Sequence, residues 1–354
     1  MGTGRDRAER MGHHGDDDRA PAGSRPLVSV IVPVRNNPAG IRELIQCLAA
    51  QIISRDRFEV VIGDDGSRPE LAPAVDTADG WVRVIPGPPR NSYAARNRAA
   101  NVARGRILAF CDSDCLPEPT WLEEALTTIE DADVLAGEVT LVVPPRLTVW
   151  SLLTIDMFLD QEKNVLLSRA VTANLVVKRR LFDELWGFDE SLPSGGDYDF
   201  VERSVERGAR LRYAAKAVVR HPTMEDGGAF LRKIWTTNRW SGVRHARSGL
   251  HPEPLGVLIL LPVVGVMIAR RQALRPVLCL YRPRLEACGV TASWRDDLRT
   301  LPLLYFVVSY VAGVGRVRGW LEGRRLAREG AKPTYGSPPR EPMPRQAASG
   351  GVPP

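Results

Sequence analysis

Apolar and polar positions change period several times over the first 110 residues. LVSVIVPV (27–34) is a β-branched run and predicts a strand. After a turn at NNPAG comes IRELIQCLAAQII (41–53), where Ile41, Leu44, Ile45 and Leu48 recur at i, i+3, i+4 and i+7 and predict an amphipathic helix. FEVVIGDDGS (58–67) reads as a second strand ending in acids and a glycine turn, and WVRVI (81–85) as a third. SYAARNRAANVARG (92–105) reads as a second helix and RILAF (106–110) as a fourth strand. Strands alternating with helices at this spacing predict an α/β fold with a doubly wound, mostly parallel sheet flanked by helices. Ligands of such sheets bind beyond the carboxyl ends of the strands, where GDDGS and CDSDC both fall.

Composition narrows the partners. The chain has 354 residues, 44% of them hydrophobic and 25% charged, enough for a substantial core. A net charge of +6 admits nucleic acid, an anionic membrane surface or phosphorylated substrates. Nucleic acid is set aside, because the basic residues cluster around apolar runs rather than among aromatics. Five cysteines with no C-x-x-C pair exclude a disulfide framework and a zinc knuckle, and point to a reducing, cytoplasmic-side location. Residues 1–25 are charged and Gly-rich without an apolar core, so they read as a disordered tail and not as a signal peptide; 329–354 read as a second tail. Neither G-x-G-x-x-G nor G-x-x-x-x-G-K-[ST] is present, so a nucleotide held here is not held by a glycine-rich backbone alone.

The acidic residues carry the chemistry. In an extended segment Asp112 and Asp114 aim both carboxylates one way, and two such charges repel. A divalent cation, Mg²⁺ or Mn²⁺, removes the repulsion and brings phosphate oxygens with it. Asp64 and Asp65 close the second strand at the same edge. Arg96 lies on the helix leading into the D-x-D strand, where a guanidinium can reach a diphosphate. Taken singly, each feature also fits a solvated turn or a surface arginine; together they are far more specific.

VSVIVPVRNN, VVIGDDGS, NSYAARNRAANVARGRILAFCDSD and TANLVVKRRLFDELWGFDESLPSGGDYDFVERSVERGARLRYAAKAVVRH resemble, in order, family 2 glycosyltransferases of the bacterial, membrane-associated type. The resemblance covers about residues 26–240 and implies the glycosyltransferase-A fold, with a nucleotide-sugar-binding half (26–125) and an acceptor-binding half (126–250). It implies that Pro33, Arg35, Asp64, Asp65, Arg96, Asp112 and Ser113 face a nucleotide-diphospho-sugar. It places a metal on Asp112, Asp114 and His221, and makes Asp197 the general base of an inverting displacement. Trp186, Gly187 and Phe188 match a loop below the acceptor. WTTNRWSG (235–242) partly matches the Q-x-x-R-W motif of processive synthases, giving Arg239 a role on the diphosphate and Trp240 one on the acceptor. Three positions depart from the pattern: Gly196 stands where glutamate is usual, Trp186 where glycine is, and Thr236 where glutamine is. The last favours transfer of a single sugar.

LGVLILLPVVGVMIA (255–269) and LPLLYFVVSYVAGVG (301–315) are shorter than the ~20 apolar residues a membrane span takes. Arginines flank both runs on both sides, Arg244 and Arg247 before the first and Arg270 and Arg271 after it, Arg295 and Arg299 before the second and Arg316 and Arg318 after it, leaving no end for the outside. Residues 251–328 are therefore expected to form re-entrant or interfacial helices on the cytoplasmic face of the membrane, with a lipid-linked glycan as acceptor. Two rival readings stand beside this one: a polyprenyl-phosphate sugar synthase, and a nucleotide- or glycan-binding protein that has lost catalysis.

Overall fold

The computed structural model describes residues 25–71, 75, 80–144, 148–249 and 301–336. The N-terminal tail and the apolar run 255–269 lie outside them.

One eight-stranded sheet organises the chain, in the order β3-β2-β1-β4-β7-β6-β8-β5. Its first four strands are β1 (Val28–Val34), β2 (Phe58–Asp64), β3 (Val82–Pro86) and β4 (Ile107–Cys111), all parallel as the sequence predicts. β1 and β2 are buried at every position, which accounts for their unbroken apolar runs: both faces of the sheet are covered. Alternate side chains go to opposite sides. Val28, Val30, Val32, Val60 and Ile62 pack on the face of α1 (Pro38–Ala49) and α3 (Trp121–Ile129). Ile31, Val61, Leu108 and Phe110 pack on the face of α2 (Ser92–Val102), α6 (Arg179–Glu184) and α7 (Gly196–Glu206).

The second half makes the sheet mixed. β7 (Asn174–Lys178) runs antiparallel to both β4 and β6 (Val134–Val142), and β8 (Leu211–Pro222) parallel to β6. The two-residue β5 (Leu116–Pro117) pairs antiparallel with β8, Leu116 opposite Arg220. This last pairing matters for the site, because it carries His221 alongside the turn that precedes β5. Between β6 and β7 lie α4 (Val149–Met157) and α5 (Gln161–Leu166).

α8 (Gly227–Arg247) and α9 (Leu301–Arg328) pack against each other along their length. The apolar run 301–315 is the first half of α9, and Leu304, Phe306, Val308 and Val311 join Leu153, Phe230 and Ile234 in a third apolar cluster. The run is therefore used in packing, and among the described residues no helix is long and apolar enough to cross a membrane. The expected tail also differs: Ala331–Gly336 continue from α9 and are hydrogen-bonded to the loop 186–190.

Candidate active site

The carboxyl ends of β1, β2 and β4 open into a cleft of about 480 Å³. Pro33 and Arg35 reach it from β1, Asp65 from β2, and Arg96 and Ser92 from α2; Asp112, Ser113 and Asp114 come from the turn after β4, and His221 from β8. A second cavity of about 240 Å³ adjoins it, walled by Phe158, Leu159, Thr172, Ser194, Asp197 and Tyr198 among others. Ser92, Arg96, Asp112 and Lys233 line both.

The D-x-D segment is not extended. β4 stops at Cys111, and the Cys115 N–H closes a turn on the Asp112 carbonyl at 3.2 Å. The two carboxylates share the cleft, and each has its own partner. Arg96, almost fully buried, donates to Asp112 in an ion pair, while Asp114 faces His221. Asn37, which also caps α1, holds the turn through the Ser113 hydroxyl at 3.3 Å.

The His221 ring fixes what can sit between it and Asp114. Its Nδ1 is 2.7 Å from the Pro222 carbonyl, which only accepts, so the proton is on Nδ1. In the neutral ring Nε2 presents a lone pair to a carboxylate oxygen 3.6 Å away, a repulsive arrangement until a proton or a metal cation stands between them. Burial pushes the Asp114 carboxyl up and Asp112 adds to this, while the positive charge of a protonated His221 pulls it down. Cys115 is close enough to complete a three-ligand group. Its thiol, however, donates to the Ala173 carbonyl, and burial pushes its pKa well up, so it stays neutral. A carboxylate oxygen and an imidazole nitrogen, with Asp112 beside them, fit Mg²⁺ or Mn²⁺.

The acidic pair of β2 divides its work. The Asp64 carboxylate accepts from the Ser67 N–H at 2.9 Å and hydroxyl at 2.6 Å, and so holds the turn. Asp65 faces the cleft, with one oxygen accepting from the Arg90 N–H at 2.8 Å.

Asp197 lies in the first turn of α7 and is buried. Its Oδ1 accepts from the Tyr93 hydroxyl and the Tyr198 N–H, both at 3.0 Å, and its Oδ2 from the Thr172 N–H at 3.2 Å. Oδ1 is thus fully engaged, whereas Oδ2 keeps a lone pair for a proton from the second cavity. Burial and the Asp197 charge push the Tyr93 phenol well up, and the same two causes raise Tyr198 to about 12, so both remain donors.

Other expected residues lie elsewhere. Arg239 faces α9 and makes a bidentate ion pair with Glu322, both bonds 2.9 Å, and Trp240 beside it lines neither cavity. Phe188 is a core residue among Tyr93, Phe110, Phe182 and Phe200. Gly187 has φ +69 and no room for a Cβ, which would stand 2.6 Å from Asn97 Oδ1. Trp186 is half-exposed and its carbonyl accepts from Gly336. Motif reading passed over Lys233, Tyr93, Thr172 and Tyr198. The first is one basic residue among many; the others act through a fold that brings α2, β7 and α7 together.

Residues 29–186 match the profile of Glycosyl transferase family 2. Over 211 residues the chain is 32% identical to the glycosyltransferase AglE of Haloferax volcanii, covering 57% of this chain and 69% of that protein. It is 33% identical over 215 residues to the pre-mycofactocin glycosyltransferase of Mycobacterium tuberculosis, where the match spans 57% of this chain but only 44% of the relative. Among solved structures, the mannosyltransferase PcManGT of Pyrobaculum calidifontis, in complex with GDP-Man and Mn²⁺, superposes with a TM-score of 0.52 at 21% identity, over 86% of this chain and 91% of that one. That likeness is one of fold. Sheet order, cleft and sequence match agree: the chain belongs to glycosyl transferase family 2 and is a glycosyltransferase with the glycosyltransferase-A fold.

Proposed function

We propose that this enzyme moves a sugar from a nucleotide-diphospho-sugar to a hydroxyl of a lipid-linked glycan, inverting the anomeric carbon. One observation carries the reading: a cleft holding Asp65, Arg96, Asp114 and His221 opens directly into a cavity holding a buried carboxylate, Asp197. The nucleotide lies in the larger cleft, with Pro33, Arg35 and Asp65 at its base and ribose and Arg96 towards its diphosphate. Asp114 and His221, with Asp112 adjacent, hold Mg²⁺ or Mn²⁺, which when bound supplies positive charge to the diphosphate.

Asp197 removes the proton of the acceptor hydroxyl through Oδ2 while Tyr93 and the Tyr198 and Thr172 N–H groups keep the carboxylate in place. The acceptor oxygen attacks the anomeric carbon from the side of the second cavity as the bond to phosphate breaks on the side of the first. Opposite approach and departure invert the centre. The walls of the acceptor cavity include Phe158 and Leu159, and the same chain segment carries exposed Met157, Leu166 and Leu167. Exposed apolar side chains on a segment that also lines the acceptor cavity suit a lipid-linked acceptor presented at the cytoplasmic face of a membrane. Replacing Met157, Leu166 and Leu167 with serine is expected to abolish flotation of the protein with anionic vesicles; unchanged flotation removes the lipid part of the reading.

The donor reading is tested by thermal shift with UDP, GDP, dTDP and CDP, with and without Mn²⁺, on the wild type and Asp114→Ala. A ligand at 100 times its dissociation constant adds about 2.7 kcal/mol. A shift for one nucleotide that needs both Mn²⁺ and Asp114 is expected; no shift with any of them overturns the assignment.

A further inference from the structure

Arg239 is held by Glu322, which leaves open which residue takes the charge of the departing diphosphate. The same helix offers another cation. Lys233 and Thr237 are four residues apart, on one face of α8, and both line the acceptor cavity; Lys233 also lines the donor cleft. Arg239, six residues after Lys233, is rotated by about 120° at 100° per residue and faces α9 instead.

Side chains shared by the two cavities surround the point where donor and acceptor meet. Arg96 and Asp112 are among them, but they neutralise one another. Lys233 is half-buried, with Nζ 4.9 Å from the centre of the Phe158 ring, and no carboxylate of the described residues forms an ion pair with it. Its charge also reaches the Asp114 carboxyl, which it pulls down. It is therefore a cation at the junction whose charge nothing around it cancels by direct contact.

We propose that Lys233 is a further catalytic residue, the cation that receives the negative charge developing on the diphosphate as the sugar leaves. The inference rests on the donor-cleft reading above. In the step it serves, the acceptor O–H proton passes to Asp197 Oδ2 and the oxygen lone pair forms the new bond to the anomeric carbon. The electron pair of the old carbon–oxygen bond goes to the terminal phosphate oxygen. That phosphate gains one negative charge between donor and product, and the Lys233 ammonium hydrogen-bonds it without giving up a proton. A contact that strengthens as charge develops accelerates the reaction; one that is equal throughout does not.

The test is calorimetric, on the full chain with Mn²⁺, using inorganic pyrophosphate and the pairs UDP/UMP and GDP/GMP as probes. Lys233→Met keeps a flexible apolar chain over Phe158 and removes the charge; Lys233→Arg keeps the charge. Lys233→Met is expected to weaken pyrophosphate and the preferred nucleoside diphosphate about tenfold or more, as loss of a charge-assisted hydrogen bond does. The matching monophosphate should change less than about twofold, and Lys233→Arg should restore most of the diphosphate affinity. Equal loss for mono- and diphosphate, or no loss for either, overturns the inference while the donor cleft stands. A wild type that binds none of the five probes overturns the donor cleft itself, and the inference with it. A lysine that only props Phe158 would lower the melting temperature without ligand and leave the ratio of diphosphate to monophosphate affinity unchanged.

Discussion

Gly196 stands where the family resemblance calls for glutamate, and Tyr93 is the reason. A Cβ at Gly196 would sit 2.9 Å from two carbons of the Tyr93 ring, so the ring occupies the space a side chain would need. The same tyrosine donates to Asp197 Oδ1. The departure is thus a paired arrangement, which weakens the reading of this chain as a binding protein that has lost catalysis. Tyr93→Phe keeps the ring and removes one donor to the charged form of Asp197. The bond is charge-assisted and worth ~1.5–3 kcal/mol, so turnover of the preferred nucleotide-sugar is expected to fall about ten- to a hundredfold. An unchanged rate means that the Tyr93 hydroxyl does not act on the base. Gly196→Glu should cost more than Tyr93→Phe in both melting temperature and rate, because it must displace a buried ring.

At the scale of elements, the seam between α8 and α9 depends on glycine. A Cβ at Gly319 would stand 1.7 Å from the Arg239 carbonyl, and one at Gly242 2.1 Å from the Arg316 carbonyl. Backbones this close admit no side chain. Gly319→Ala is expected to destabilise by ~1–3 kcal/mol, the usual cost of overpacking, whereas Gly330→Ala changes a glycine with nothing within 4 Å and is strained only by its φ of +70. Denaturant midpoints of the two variants decide. The glycines at 315, 319 and 323 were visible in the sequence, but their partner was not: the run 301–315 read as membrane-seeking because hydropathy reports how apolar a segment is and not what covers it. The first four strands and α1 and α2 were legible because their periods match their burial. The antiparallel return of β7 and the β5–β8 pairing were not, since each depends on partners far away in sequence. A second element-scale expectation concerns Glu59, which ties β2 to β1 through the Ser29 hydroxyl at 2.7 Å and to β3 through Arg83 at 2.9 Å. Burial pushes its carboxyl up, but Ser29, the Arg104 N–H, Arg83 and the Arg104 guanidinium outweigh this and hold it below its ordinary 4.5. A depressed carboxylate stabilises the fold above its unfolded pKa and loses that contribution as pH falls through the folded one. The stability gap between wild type and Glu59→Gln should therefore be constant near neutrality and shrink below about pH 4.5.

On the scale of the whole molecule, the segment after α9 links the distal helix back to the acceptor side. Composition made residues from 329 onward look disordered, yet Ala331–Gly336 are fixed through backbone bonds that composition does not register. The Thr334 carbonyl accepts from the Glu190 N–H at 2.6 Å, the Thr334 N–H donates to Asp189 at 2.9 Å, and the Gly336 N–H donates to the Trp186 carbonyl at 2.9 Å. The Arg203 guanidinium lies 4.6 Å from the centre of the Tyr335 ring. The loop 186–190 is held from two other sides as well, by Asn97 of α2 on Phe188 and by Arg247 of α8 on Asp189. It leads directly into Pro193–Asp197, the acceptor wall that carries the base. None of its residues lines the donor cleft. Ending the chain at residue 330 removes the strap and leaves α2 and α8 in place. Three hydrogen bonds at ~0.5–1.5 kcal/mol each make a loss of several degrees in melting temperature the expected outcome. Amide exchange at Gly187–Glu190 should accelerate and KM for the acceptor should rise, while the dissociation constant of the preferred nucleoside diphosphate stays within about twofold. Faster exchange confined to this loop would locate the effect on the acceptor side. Weaker nucleotide binding would show instead that the two cavities are coupled through the loop, by way of the Arg90–Glu190 ion pair and the Arg90 N–H on Asp65.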